Sequence, residues 1–383
     1  MRPAFRQRLC CADMTGLLCH KQDKEHLNMH MADALISPAV GLTMWGASAA
    51  TIAYCSKKLR EQVDGGIVPL MGVLGAFIFA AQMVNFTIPV TGSSGHLGGG
   101  MILAVLLGPY AAFLTIASVL VVQALFFADG GLLALGCNIF NLGFFPAFIA
   151  YPLIYKKIVG TTPTAKKISI AAPIAAIVGL QLGAFGVVVE TVASGISSLP
   201  FATFVAIMQP VHLAIGIVEG VVTASVISFV YTARPEILQS AMEARPVGVL
   251  PIRKVVFGFL AVAVITGGCF SWFASERPDG LEWSITKVTG QEELKGENQG
   301  LHGSLAALQK SLAFLPDYSF KKAEETKLAE KAAESAAERE QNAAEKKPEG
   351  SKLGTSVSGL VGGTITLALC FLIGFILKRR AMQ

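Results

Sequence analysis

Two histidines stand out by type and position. His30 lies in Met29-His30-Met31-Ala32-Asp33-Ala34 and His96 in Ser93-Ser94-Gly95-His96-Leu97, each beside long apolar runs. A histidine directly behind a methionine that can itself be a start residue offers three nitrogens: the free α-amine, its own deprotonated backbone amide and its ring. With His96 as the fourth, the result is an all-nitrogen, tetragonal or square-planar site. That geometry selects Ni²⁺, Cu²⁺ or a related late divalent ion over Mg²⁺ or Ca²⁺.

The elements that would position such a site are membrane helices. The 383 residues are 53% hydrophobic and only 15% charged, and the mean hydropathy is +0.57. No Asp, Glu, Lys or Arg occurs between Asp64 and Asp129, or from Gly130 to Tyr155, which calls for several crossings at about 20 residues each. The net charge of +5 implies no nucleic-acid partner, because the bases sit at the ends of apolar runs. Nine spans are expected, near 39–56, 66–87, 98–108, 110–128, 131–155, 168–193, 209–232, 254–274 and 355–377. The basic clusters are Lys57-Lys58-Arg60, Lys156-Lys157 with Lys166-Lys167, then Arg234, Arg245 and Arg253-Lys254, and last Lys378-Arg379-Arg380. All of them fall on the cytoplasmic side if the N-terminus starts outside and the short, Gly/Pro-interrupted third segment crosses. The fold class expected is an all-α integral membrane protein: a seven-helix bundle followed by a two-helix hairpin. His30, His96 and the hairpin's loop are then on the outer face and the C-terminus is cytoplasmic.

Residues 233–253 read as a polar, Pro-containing linker between two membrane units. The second unit, 254–383, carries an external loop at 275–354. That loop opens with Arg277-Pro278-Asp279-Gly280-Leu281-Glu282-Trp283 and ends in an Ala/Glu/Lys tract, Lys321–Lys347, of the kind that forms a solvated helix or spacer. Pro278-Asp279-Gly280 taken alone is a tight turn. The loop has no cysteine and one histidine, His302, so it cannot build a complete late-metal site by itself.

Taken together, Met29-His30-Met31-Ala32-Asp33-Ala34, the Ser93–Leu97 loop, the tract from Asp129-Gly130-Gly131 to Gly136-Cys137-Asn138-Ile139-Phe140-Asn141, and His212-Leu213-Ala214-Ile215-Gly216 with Glu219-Gly220 resemble the CbiM/NikM family. These are substrate-capture (S) components of energy-coupling factor transporters for cobalt and nickel. The resemblance covers about 29–232. Pro278-Asp279-Gly280-Leu281-Glu282 makes the second unit similar to the PDGLE domain, the NikN/CbiN-like accessory subunit. That resemblance implies that the unit is needed for transport rather than metal capture, so a chain ending near Arg253 should still bind metal but lose uptake. The resemblance implies that Met29 (α-amine), His30 and His96 bind Co²⁺ or Ni²⁺, without choosing between them. It implies as partners a coupling transmembrane (T) subunit and ATPase (A) subunits in the inner membrane, beside the surrounding lipid. Asn138 and Asn141 match polar family positions and are expected to hold the inserted N-terminal segment or the metal loop. Asp33, Ser93 and Ser94 are further outer-shell or structural candidates.

His212, Glu219, Glu190 and Gln123 are costly in apolar runs unless paired, so function and helix-to-helix hydrogen bonding both stand as readings. Residues 1–28 are polar and lack an apolar signal region. If retained, they would deprive Met29 of its amine. The expectation is that Met29 is the true start, since Lys24-Glu25 can be encoded as a ribosome-binding sequence just upstream. Cys10, Cys11, Cys19, His20 and His26 in that extension match no structural zinc spacing. Cys55, Cys137, Cys269 and Cys370 fall in spans and read as packed thiols. The P-loop string G-x-x-x-x-G-K-[ST] does not occur, so the chain is not expected to be an enzyme and ATP hydrolysis is assigned to separate subunits. The competing classes are a secondary nickel or cobalt permease, which would need a midplane repeat and paired carboxylates, and a sensor or scaffold without transport.

Overall fold

A computed structural model describes residues 29–61, 66–89, 91–243, 245, 252–290, 294, 299–320 and 349–381. The readings made for residues 1–28 and for the Lys321–Lys347 tract lie outside the described residues.

The described residues are almost wholly helical: α1 Pro38–Arg60, α2 Ile67–Gln82, α3 Gly100–Leu107, α4 Pro109–Phe127, α5 Leu135–Val159, α6 Ala165–Ser194, α7 Phe201–Ala233, α8 Pro235–Glu243, α9 Arg253–Gly268, α10 Gly280–Thr289, α11 Gly300–Leu312 and α12 Glu349–Ala381. Helices α4, α5, α6, α7 and α12 contain stretches long and apolar enough to cross a bilayer, and α2 is a shorter apolar helix. The chain is a multi-pass membrane protein.

Local signals set the helix ends. Ser37 precedes Pro38 and its hydroxyl accepts from the Val40 amide, so α1 starts with a side-chain cap and a proline where no amide is needed. Thr164 caps α6 in the same way at Lys167. The expected third crossing is a short element. α3 has eight residues, about 12 Å of helix against a core of about 30 Å, so the helix is only part of that segment, whose end at Leu107 and Gly108 lies in one pocket with Leu59 and Lys156. It stops at Gly108 (φ 77°) and Pro109 restarts the chain as α4. Within α5, Pro146 and Pro152 cannot donate, and Phe140–Tyr155 opens into wider i→i+5 turns.

Close approaches of small residues join the second unit to the first. α2 lies against both α9 and α12, with the Phe77 and Phe259 rings 5.2 Å apart and Gly75 beside Cys370 and Thr366. Gly267 of α9 meets Gly359 of α12 backbone to backbone. A short antiparallel ladder, Phe86–Thr87 with Ser94–Gly95, ends one residue before His96.

Candidate metal-capture site

The segment Met29–Asp33 is threaded into the bundle and strapped there by polar bonds. The Met31 amide donates to Asn138 Oδ1 at 3.1 Å, and Asn138 Nδ2 returns a bond to the Met31 carbonyl at 3.2 Å. That carbonyl also receives the Gly131 amide at 3.0 Å. Asp33 Oδ1 accepts from the Ala134 amide at 2.9 Å, so this carboxylate holds the turn that starts α5. Gly130 makes the close approach possible: at φ 80° a Cβ there would stand 2.8 Å from His30 Cβ.

Met29, His30 and Asp129 are 7%, 5% and 2% exposed. The Met29 nitrogen donates to Asp129 Oδ1 at 2.9 Å, and His30 Nε2 is 3.9 Å from Asp129 Oδ2. Burial holds the His30 ring below its ordinary pKa, with Asp129 opposing that shift. The ring's tautomer follows from a relay of amides. The Gly98 carbonyl can only accept, so Gln82 offers it Nε2 at 3.0 Å. Gln82 Oε1 therefore accepts from Gln123 Nε2 at 3.0 Å, and Gln123 Oε1 faces His30 Nε2 at 3.0 Å. His30 Nε2 is then the protonated nitrogen, which leaves Nδ1 with a free lone pair.

His96 faces this segment from the loop before α3. Its ring meets that of His30 edge to face with centroids 5.2 Å apart. Nε2 lies 2.9 Å from the Met29 carbonyl and Nδ1 3.2 Å from the Leu97 carbonyl. Glu219, on α7, clamps the loop: its two oxygens accept from the Gly98 and Gly99 amides at 3.1 and 3.0 Å. His212, two turns earlier on α7, turns Nδ1 to the Met208 carbonyl at 2.8 Å. Met29, His30, His96, Asn138, Asn141, His212 and Glu219 share one cavity of about 80 Å³.

Further candidates make contacts of their own. Asn141 Nδ2 donates to Glu190 Oε2 at 2.7 Å, tying α5 to α6, while its buried Oδ1 has no hydrogen-bond partner among the described residues. Ser93 pairs with Thr91 within its own loop. Ser94 docks the second unit, its amide donating to the Pro278 carbonyl at 2.8 Å and its hydroxyl to Arg277 at 2.7 Å.

The second unit reaches this pocket. Asp279, Gly280 and Leu281 line the same cavity. Asp279 Oδ1 caps α10 by accepting from the Leu281 and Glu282 amides at 2.9 and 2.8 Å. Burial pushes its carboxyl up to about 6. Gly280 seats against α7, where a Cβ would come within 2.7 Å of Val211 and 3.0 Å of His212. So Pro278-Asp279-Gly280 is a helix start rather than a free turn. Leu281 is buried behind it, and Glu282 contributes its amide to the cap. His302 Nε2 meets the Ile36 carbonyl at 2.8 Å, Gln309 Nε2 reaches the Ala124 and Gly130 carbonyls at 2.9 and 2.7 Å, and Tyr318 donates to Asp129 Oδ2 at 2.6 Å. Asp129, Gln82, Gln309 and Tyr318 were not expected at the site. Asp129 had a signal, the charge that ends the long uncharged run; Tyr318 had none.

Among the described residues no three His, Cys, Asp or Glu side chains form a ready metal cluster.

A polytopic helical membrane protein with a pocket lined by three histidines and by residues of an appended unit is the class these features define. The sequence family described as "Cobalt uptake substrate-specific transmembrane region" (CbiM) matches residues 30–237, and the PDGLE domain matches 253–379. The chain belongs to this family of cobalt/nickel transport components, with a PDGLE domain joined to it. It is 35% identical to the "Putative fused nickel transport protein NikMN" of Archaeoglobus fulgidus, covering 62% of this chain and 72% of that protein. It is 26% identical to the cobalt transport protein CbiM of Geobacter sulfurreducens, covering 69% and 78%. A solved structure titled as a truncated transition metal transporter is 30% identical, covering 54% of this chain and 99% of that one, with a TM-score of 0.48.

Proposed function

We propose that the chain is the membrane substrate-binding component of an ATP-driven energy-coupling factor transporter that imports Ni²⁺ or Co²⁺ through a four-nitrogen site. The donors are the Met29 amine, the His30 amide, His30 Nδ1 and His96 Nε2. The observation that carries this reading is the convergence of the buried Met29-His30 backbone and the His96 ring, with His96 Nε2 2.9 Å from the Met29 carbonyl. The chemistry fits the tautomer. An amine and the next amide close a five-membered chelate ring, and that amide closes a six-membered ring only with Nδ1, the nitrogen that the Gln82–Gln123 relay leaves unprotonated. When the ion enters, His96 Nε2 leaves the Met29 carbonyl and binds it. Nδ1–H then donates to the Leu97 carbonyl, the outer bond that orients a ligating imidazole.

In this reading Met29 is the first residue of the mature chain, and its amine keeps one N–H for Asp129 while binding the ion. The site and the loop between α9 and α12 face outward, residues 29–232 form the capture bundle, and 254–383 form the accessory unit. T and A subunits supply the coupling and the ATP hydrolysis.

The test has two parts. Intact mass of protein expressed from its own upstream region should show a chain starting at Met29. Titration calorimetry should show that His30→Ala and His96→Ala each abolish tight Ni²⁺ or Co²⁺ binding, whereas His212→Ala retains it. Wild-type affinity in either single variant, or tight binding by a chain that begins at Met1, refutes the four-nitrogen site.

A further inference from the structure

The accessory unit reaches the metal site at a second place besides Asp279, through a residue that no motif marks. Tyr318 follows α11 and is buried, its ring stacked on Phe127 with centroids 5.1 Å apart and planes at 17°. Its hydroxyl donates to Asp129 Oδ2 at 2.6 Å. The other oxygen of that carboxylate receives the Met29 nitrogen at 2.9 Å, and Oδ2 stands 3.9 Å from His30 Nε2. A continuous chain of bonds therefore runs from the appended unit to the first donor of the site. Gln309 grips the turn on either side of Asp129 through the Ala124 and Gly130 carbonyls, and the Leu315 amide donates to the Phe126 carbonyl at 3.3 Å. Burial and the neighbouring Asp129 hold the Tyr318 phenol well above its ordinary pKa, so the phenol stays a donor.

We infer that Tyr318 is a positioning residue for the metal site: by pinning Asp129 Oδ2 it turns Oδ1 toward the Met29 nitrogen, so the accessory unit sets the affinity of the pocket as well as covering it. The inference rests on the four-nitrogen reading above. A carboxylate held on one side by a phenol and on the other by the amine has one orientation. Without the phenol it can rotate toward His30 or the cavity, and the amine loses its fixed partner. Partners just outside a ligand shell typically change metal affinity ~10–100-fold. Tyr318 acts one bond further out, so a loss of roughly tenfold is expected.

The experiment compares the full chain with Tyr318→Phe, Asp129→Asn and the double variant, using Ni²⁺ alone as the probe. Affinity is read by competition with a chromophoric chelator and ligand geometry by the visible absorption of bound Ni²⁺. Phe keeps the ring stacked on Phe127 and removes only the hydroxyl, so the chain should still fold, with a melting temperature lowered by the bond that the buried carboxylate loses. The expected result is weaker binding and an altered absorption band in Tyr318→Phe, with no further loss when the same change is made in the Asp129→Asn background. If Tyr318→Phe matches wild type in both readouts while Tyr318→Ala does not, the residue only packs and the inference is overturned. Equal losses from Tyr318→Phe with and without Asp129 overturn it as well. His30→Ala serves as the control: wild-type binding there removes the four-nitrogen reading, whereas loss of binding there with an unchanged Tyr318→Phe removes this inference alone.

Discussion

Replacing Asp129 by Asn isolates the role of charge at the pocket. The amide keeps an oxygen 2.9 Å from the Met29 nitrogen but removes the negative charge from beside the amine, the His30 ring and the incoming ion. A hydrogen bond to a charged group is worth about 1.5–3 kcal/mol. Expressed as affinity that is a factor of roughly 10–150, close to the ~10–100-fold known for partners that orient metal ligands. A bare Coulomb estimate would be larger, because a divalent ion about 5 Å from a carboxylate at an effective dielectric near 20 gains about 7 kcal/mol. That value omits the desolvation each group has already suffered, so the smaller figure decides the expectation. Asp129→Asn should weaken Ni²⁺ or Co²⁺ binding by one to two decades without abolishing it, whereas removal of the His96 ring takes away a ligand outright. Calorimetric titration in detergent at constant pH reads the difference. Unchanged affinity would mean that the Met29 nitrogen is not a donor, and the site would have to be rebuilt without it.

Further outcomes follow from the same geometry. Because burial depresses the His30 pKa, its contribution to folding is present above the unfolded value near 6.5 and is lost as pH falls below it toward the depressed folded value. Thermal melts of metal-free wild type should therefore drop below pH 6.5 more than those of His30→Gln, and parallel curves would contradict a buried neutral ring. Gly130→Ala should cost about 1–2 kcal/mol from the left-handed backbone alone. It should also displace His30, so reduced metal affinity has to accompany the lower melting temperature. Asp279→Ala removes the cap of α10 at about 1 kcal/mol; if that cap seats the unit on α7, proteolysis of the loop should accelerate while α12 stays protected.

The membrane class and the approximate places of the helices were legible because each leaves a local mark. Charge-free runs announce spans, and the basic clusters mark where they end. What stayed hidden depends on contacts between residues far apart in the chain. Nothing around Gln82 or Gln123 says that two neutral amides, with the Gly98 carbonyl as their terminus, settle which nitrogen of His30 carries the proton. Ser94 and Asn141 illustrate the same limit from the other side. Their types suit a metal's outer shell, but the sequence does not show that Ser94 donates to the Pro278 carbonyl or Asn141 Nδ2 to Glu190. A polar residue in an apolar run must be paired, but the sequence does not say with what.

The second unit was read from the absence of ligands in its loop, and that reading said nothing of Asp279, Gly280 and Leu281, which line the cavity beside His30 and His96. A unit without a donor nitrogen can still control a metal site by holding the carboxylate that holds a donor. Tyr318 is 189 positions from Asp129, and Gln309 is 179 from the Gly130 carbonyl it grips, so each contact closes a loop whose entropic cost must be met by the packing of α9 and α12 on α2. If that packing positions the loop, loosening it should act on metal binding at a distance. Gly75 on α2 leaves no room for a side chain beside Cys370, whose sulfur would be 2.9 Å from an added Cβ. Gly75→Leu should push α12 away, and if Tyr318 is withdrawn with it, affinity should fall to the level of Tyr318→Phe even though no residue near the pocket has changed. Full affinity in that variant, with α12 shown to be displaced by crosslinking between cysteines placed on α2 and α12, would mean that the loop holds Asp129 without help from its helices.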